Sequence, residues 1–175
     1  MTCFDNIPEP LRGARRWVSF RIVKQLDGTL KKIPLTIRGT LARSDTPNDW
    51  STLLEVVKAI SYDIGQYPAF ALGEDYPLRV LDLDNCIDAW GNLTPLAVRI
   101  VSRSEGAYIE KSVSGHGLHI LMWASEQKYP TIPVPGLEIY GGAPRFIIMT
   151  GDLWNPLPTC DTEFNRKLAF REVHV

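Results

Sequence analysis

The chain has 175 residues, 45% apolar and 22% charged, with a formal net charge of −1. That length suits one domain, 1–175, with room for a substantial core, and the ordinary composition argues against a disordered or fibrous protein. There is no apolar run of 18 residues and no charged–apolar–small leader pattern, so a soluble, cytoplasmic protein without a membrane partner is expected.

The first third is basic. Residues 1–45 hold nine Lys/Arg against four Asp/Glu, a balance of +5 that leaves −6 for the remainder. Such a segment suits a phosphate backbone, and suits solvated strand faces equally well. Cys3, Cys86 and Cys160 are too few for a Cys-only zinc site and are expected as thiols. "RWVSFRIVKQ" (16–25) and "KKIPLTI" (31–37) are β-rich runs around Asp27-Gly28, a strong hairpin signal, and Pro34 marks the second as an edge strand. "WSTLLEVVKAISY" (50–62) has helical apolar spacing at Leu53, Leu54, Val56, Val57 and Ile60, with Thr52-x-x-Glu55 as a capping box.

"AFAL" (69–72) and "RVLDLD" (79–84) read as neighbouring strands joined by the turn "GEDYP". Thr94-Pro95 opens a short helix to about Ser102, with proline at its first position. "AYIEKSV" (107–113) and "LHILMWA" (118–124) are strands divided by "SGHG". "LEIYGG" (137–142) and "RFIIMTG" (145–151) suggest a closing hairpin or meander, and Asp161 a cap for a helix in the tail. The pattern predicts an α+β fold, mostly antiparallel, with two or three helices packed on the sheet.

Chemistry concentrates in the second half. Asp82 and Asp84 stand two apart in an apolar strand and so share a face, where like charges are costly without a cation or donors between them. "SVSGHGLHI" (112–120) is a glycine-punctuated turn delivering His119 onto the next strand, and Glu138 lies between Leu137 and Ile139 in another. Each alone is weak. A lone Asp-x-Asp is common, a histidine starting an apolar strand is usually a satisfied core residue, and a strand glutamate usually faces water. Together, three carboxylates on apolar strands are the hard oxygen ligands that Mg²⁺ or Mn²⁺ takes, and a two-metal site would offset their repulsion.

These segments resemble a known family. "VLDLD", "SVSGHGLHI" and "LEIYGGAPRFIIMTG", with "RRWVSFR" and "KKIPL" upstream and Trp50 opening the first long helix, are similar to the archaeo-eukaryotic primase superfamily. The closest likeness is to its primase–polymerase branch of phages and plasmids, over about residues 12–155. The resemblance implies an RRM-like catalytic core and a DNA primase/polymerase activity in replication of a mobile element. Asp82, Asp84 and Glu138 would be metal ligands and catalytic residues. Ser114, Gly115, Gly117, His119 and Arg145 would bind the nucleotide, with Lys111 a lesser candidate. Lys32 and Arg16, beside Arg12 and Arg15, would touch DNA. Trp17 and Trp50 are expected in the core, and Tyr140 either at the site or in the packing. Partners would be NTP or dNTP, DNA template and primer, and a helicase domain or protein.

Two other readings remain. One is a catalytically weak nucleotide- or single-stranded-DNA-binding module of a replication initiator. The other is a sugar transferase using Asp-x-Asp, which leaves the Ser-Gly-x-Gly-x-His turn without a role.

Overall fold

The computed structural model describes residues 3–104, 106–123 and 134–154. Eight strands form two antiparallel four-stranded sheets. The first has the order β2-β1-β3-β8, from β1 (Trp17–Lys24), β2 (Leu30–Leu35), β3 (Tyr67–Leu72) and β8 (Arg145–Ile148). The second is β5-β6-β4-β7, from β4 (Leu78–Leu83), β5 (Tyr108–Lys111), β6 (Leu118–Trp123) and β7 (Leu137–Tyr140). Among the described residues three α-helices complete the frame: α1 (Glu9–Arg12), α2 (Leu53–Ser61) and α3 (Pro95–Arg103). The α+β class follows, and among the described residues no helix is long and apolar enough to cross a membrane.

Local chemistry sets several elements. At the β1–β2 turn, Gly28 takes φ +87°, a region closed to most side chains, while the Asp27 carboxylate accepts from the Thr29 amide and hydroxyl at 2.9 and 2.7 Å. Pro34, which lacks an N–H, sits on the edge strand opposite Phe20. The α2 capping box is closed in both directions: the Glu55 amide donates to Thr52 Oγ1 and the Thr52 amide to Glu55 Oε2. Trp50 does not open this helix. It lies three residues before it, buried, with its indole N–H on Arg43 O, because Pro47–Asp49 form a 3₁₀ turn and Ser51 bridges to Trp17. α3 starts at Pro95, with the Ala97 amide donating to Thr94 Oγ1.

The main core joins both sheets. Trp17, Phe70, Leu72 and Ile147 of the first pack with Leu78, Val80 and Leu121 of the second, and Leu53 and Val56 of α2 close the cluster. On the other face of the second sheet, Leu81, Leu83, Leu118, Ile120 and Met122 pack on Ala97 and Ile100 of α3. Apolar side chains thus cover much of both faces of the second sheet.

Two turns expected to join neighbouring strands instead cross between the sheets. β3 and β4 do not pair, and neither do β7 and β8: β3 pairs β8 in the first sheet, and β4 pairs β7 in the second. Both connections cross at one corner, where strands that change sheet turn sharply. In 73–77, Arg16 grips Asp75 and the Tyr76 ring packs on Phe70 and Trp123, tying this turn to both sheets. In 141–144, a Cβ at Gly141 would collide with Leu78 O, so glycine permits the close pass. The helix expected after Asp161 lies outside the described residues, as does Cys160.

Candidate active site

Strand register builds a lateral row. Asp82 on β4 faces Glu138 on β7 to one side and His119 on β6 to the other, and His119 in turn faces Glu110 on β5. The order Glu138, Asp82, His119, Glu110 thus runs across all four strands of the second sheet. Alternation puts the row on the face that carries Val80 and Leu121, beyond the end of the shared core. Asp84 follows one residue past the end of β4, its amide donating to Gly136 O at 3.2 Å.

Burial falls off along the row. The Glu110 side chain is fully enclosed, His119 is 6% exposed, Asp82 14% and Glu138 57%. His119 Nδ1 lies 3.1 Å from Glu110 Oε1, and Nε2 lies 3.7 Å from Asp82 Oδ1. Burial raises the Asp82 pKa above the usual aspartate range. His119 opposes that shift, Asp84 and Glu138 add to it, and the Lys32 ammonium opposes it from β2. The open end is held loosely: the Tyr140 hydroxyl donates to Glu138, and the Arg145 guanidinium stands 3.8 Å from that carboxylate and 4.2 Å over the Tyr140 ring.

The glycine turn adjoins this row. The Ser112 amide donates to Gly117 O and the Gly115 amide to Ser112 O. Ser114 Oγ lies 3.1 Å from Ser112 Oγ and accepts from the His116 amide. Gly115 has φ +75°, and a Cβ at Gly117 would press to 2.8 Å from Leu83 O, the carbonyl just after Asp82. His116 O accepts from the Cys86 and Ile87 amides, which locks this turn to the one that follows Asp84.

Asp82 has His119, Asp84, Lys32 and Glu138 within electrostatic range, with Arg145 beside Glu138 and the turn of Ser114, Gly115 and Gly117 next to the strand end. Two expected residues do not join. Lys111 follows Glu110 on β5 and so points to the opposite face, where it pairs with Asp152 at 3.6 Å. Arg16, expected at DNA, is buried: its guanidinium donates to Ala71 O and to both Asp75 oxygens and stacks on Trp50. Arg15 reaches Glu55 on α2 at 3.4 Å. Trp17 and Trp50 are core residues. Glu110 is the member that the sequence did not single out. Its one visible trace is an acidic residue two positions from Tyr108 on the same strand face.

The donor set suits a hard divalent cation. Asp82, Asp84 and Glu138 offer only oxygens, and Asp82, whose pKa burial raises with smaller additions from Asp84 and Glu138, is a position where added positive charge would favour the carboxylate. Among the described residues no three His, Cys, Asp or Glu head groups stand together as a ready cation site. No family model matches the chain, and no curated protein matches it.

Proposed function

We propose that the chain is a metal-dependent nucleotidyltransferase of the primase–polymerase kind, extending a nucleic-acid strand on a DNA template. The observation that carries this reading is the register: Glu138, Asp82 and His119 occupy directly opposed positions on three adjacent strands. Asp82, Asp84 and Glu138 would hold Mg²⁺ or Mn²⁺, which when bound supplies Lewis-acid stabilisation of phosphoryl charge and a more acidic primer hydroxyl. The Arg145 guanidinium offers donors for triphosphate oxygens on one side of Asp82, and His119 turns Nε2 toward Asp82 from the other. The exposed turn around Gly115, free of side-chain bulk, lets a phosphate approach its backbone. Lys32 adds positive charge from the facing sheet.

The test is primer extension on a DNA template with labelled dNTP or NTP and Mg²⁺ or Mn²⁺. Wild type should give extended products, and Asp82→Asn should lose at least about a hundredfold in rate, as expected when several kcal/mol of charge stabilisation is removed. Equal activity in the folded variant would end the proposal.

A second reading, a binding module for nucleotide or single-stranded DNA, is favoured by one observation: the three carboxylates are not gathered around a common point. Calorimetry separates the two. Nucleotide binding that is indifferent to divalent cation, with no extension product, selects the module.

A further inference from the structure

We propose that Glu110 is the positioning residue of the site, fixing the tautomer and ring angle of His119 so that Nε2 alone is presented toward Asp82. The role in turnover rests on the polymerase reading; the positioning itself does not.

Glu110 sits at the closed end of the row, its side chain wholly enclosed. Among the described residues its hydrogen-bond partners can all donate. Oε2 accepts from the Tyr108 hydroxyl at 2.7 Å and the Gly151 amide at 2.8 Å. The Thr150 amide lies 3.1 Å from both oxygens, and His119 Nδ1 lies 3.1 Å from Oε1. A carboxylate has only acceptors to offer, so the bond to the imidazole requires a hydrogen on Nδ1. With that hydrogen committed, Nε2 is the ring atom left for a ligand, and it is the one facing Asp82. A carboxylate behind a working histidine sets tautomer and orientation in this way.

The same carboxylate ties down the chain after β8. Residues 149–154 leave the first sheet and run along the edge of β5, with Asp152 O accepting from the Lys111 amide and Ile109 O from the Trp154 amide. The Thr150 and Gly151 amides end on Glu110 within this stretch. The orientation of His119 is thereby joined to the seating of a segment that spans both sheets.

Glu110→Gln has a specific consequence. The Gly151 amide is a fixed donor, so the glutamine oxygen must occupy the Oε2 position to accept from it. The side-chain NH₂ then faces His119 and donates to Nδ1, which must become the acceptor. The variant is expected to invert the tautomer and move the ring hydrogen to Nε2.

Long-range ¹H–¹⁵N correlation spectra of the full chain read this directly. The chain has three histidines, and the His119 signals are identified by their loss in His119→Gln. Wild type is expected to carry its hydrogen on Nδ1, Glu110→Gln on Nε2, and Tyr108→Phe, which trims the same cluster without touching the ring, on Nδ1. In primer extension, Glu110→Gln should lower kcat by about tenfold to a hundredfold with a smaller change in KM, the usual cost of losing such a partner. A wild-type ring with its hydrogen on Nε2 overturns the proposal, and that measurement decides even where Glu110→Gln fails to fold. An unchanged tautomer in folded Glu110→Gln also overturns it. Inversion in a chain that extends no primer supports the positioning and counts against the polymerase reading alone.

Discussion

The two ends of the acidic row carry the same functional group in opposite states. At the β5 end, Glu110 is enclosed, with donors from a hydroxyl, an imidazole and two backbone amides. At the β7 end, Glu138 is more than half exposed, touched by one hydroxyl and a distant guanidinium. A carboxylate whose acceptors are all taken is part of the scaffold. One that is exposed and keeps lone pairs unused remains available to a ligand. Asp82, between them, is buried enough to resist ionisation and open enough to be reached, and chemistry is expected where those conditions meet.

Truncating each end tests that contrast, and the largest effect belongs to the closed one. Glu110→Ala strands the Thr150 and Gly151 amides in a buried setting, and each orphaned donor costs about 1–3 kcal/mol. Urea unfolding should show a loss of about 3 kcal/mol or more. Glu138→Ala should stay within about 0.5 kcal/mol, as exposed positions usually do. Similar losses at the two ends would erase the distinction.

The middle of the row answers to pH. Burial holds the proton on Asp82 to higher pH in the folded chain than in the unfolded one. Between the ordinary aspartate value and that raised value the unfolded state binds fewer protons. Stability therefore falls as pH rises through the window and levels off above it, with a slope of at most about 1.4 kcal/mol per pH unit. Asp82→Asn should remove that slope and be the more stable protein near neutral pH. Millimolar Mn²⁺ should raise the melting temperature of wild type at pH 7 and leave Asp82→Asn nearly unmoved, since a ligand of the folded state stabilises it. A wild type more stable than Asp82→Asn at pH 7 without metal would show that the carboxylate is already compensated.

Sequence reading reached the open end of this row and missed the closed one, for physical reasons. Asp82, Glu138 and His119 stand out because each is polar within an apolar strand. Thr52 with Glu55, Thr94 with Pro95, and Asp27 with Gly28 carry their hydrogen-bonding logic within a few residues, so α2, α3 and the first hairpin are legible locally. Glu110 lies in "YIEKS", where Ile109 marks one face as apolar and Tyr108 leaves the other ambiguous; the structure buries Tyr108 and Glu110 together. Its donors come from residues 150 and 151, forty positions away, which no local pattern can announce. The sheet crossings at 73–77 and 141–144 failed similarly: short glycine-bearing turns between strands look like hairpins unless the partners, β8 for β3 and β4 for β7, are known. Arg16 belongs to a basic cluster in sequence, and only the fold brings Asp75 to it.

The smallest predicted effect probes how loosely Glu138 is held. Burial and the bond to Glu138 push the Tyr140 pKa well above the ordinary phenol range, so the hydroxyl is a donor at any working pH. A donor on a carboxylate competes with a cation for the same lone pairs. Tyr140→Phe removes that competitor and keeps the ring under Arg145, so folding stability should change by no more than about 0.5 kcal/mol. For an exposed, screened contact worth on the order of 0.5–1 kcal/mol, Mn²⁺ binding measured by calorimetry should tighten about twofold to fivefold. Weaker binding would mean that the hydroxyl aims Glu138 at the ion instead of restraining it, and Tyr140 would then stand at the open end where Glu110 stands at the closed one.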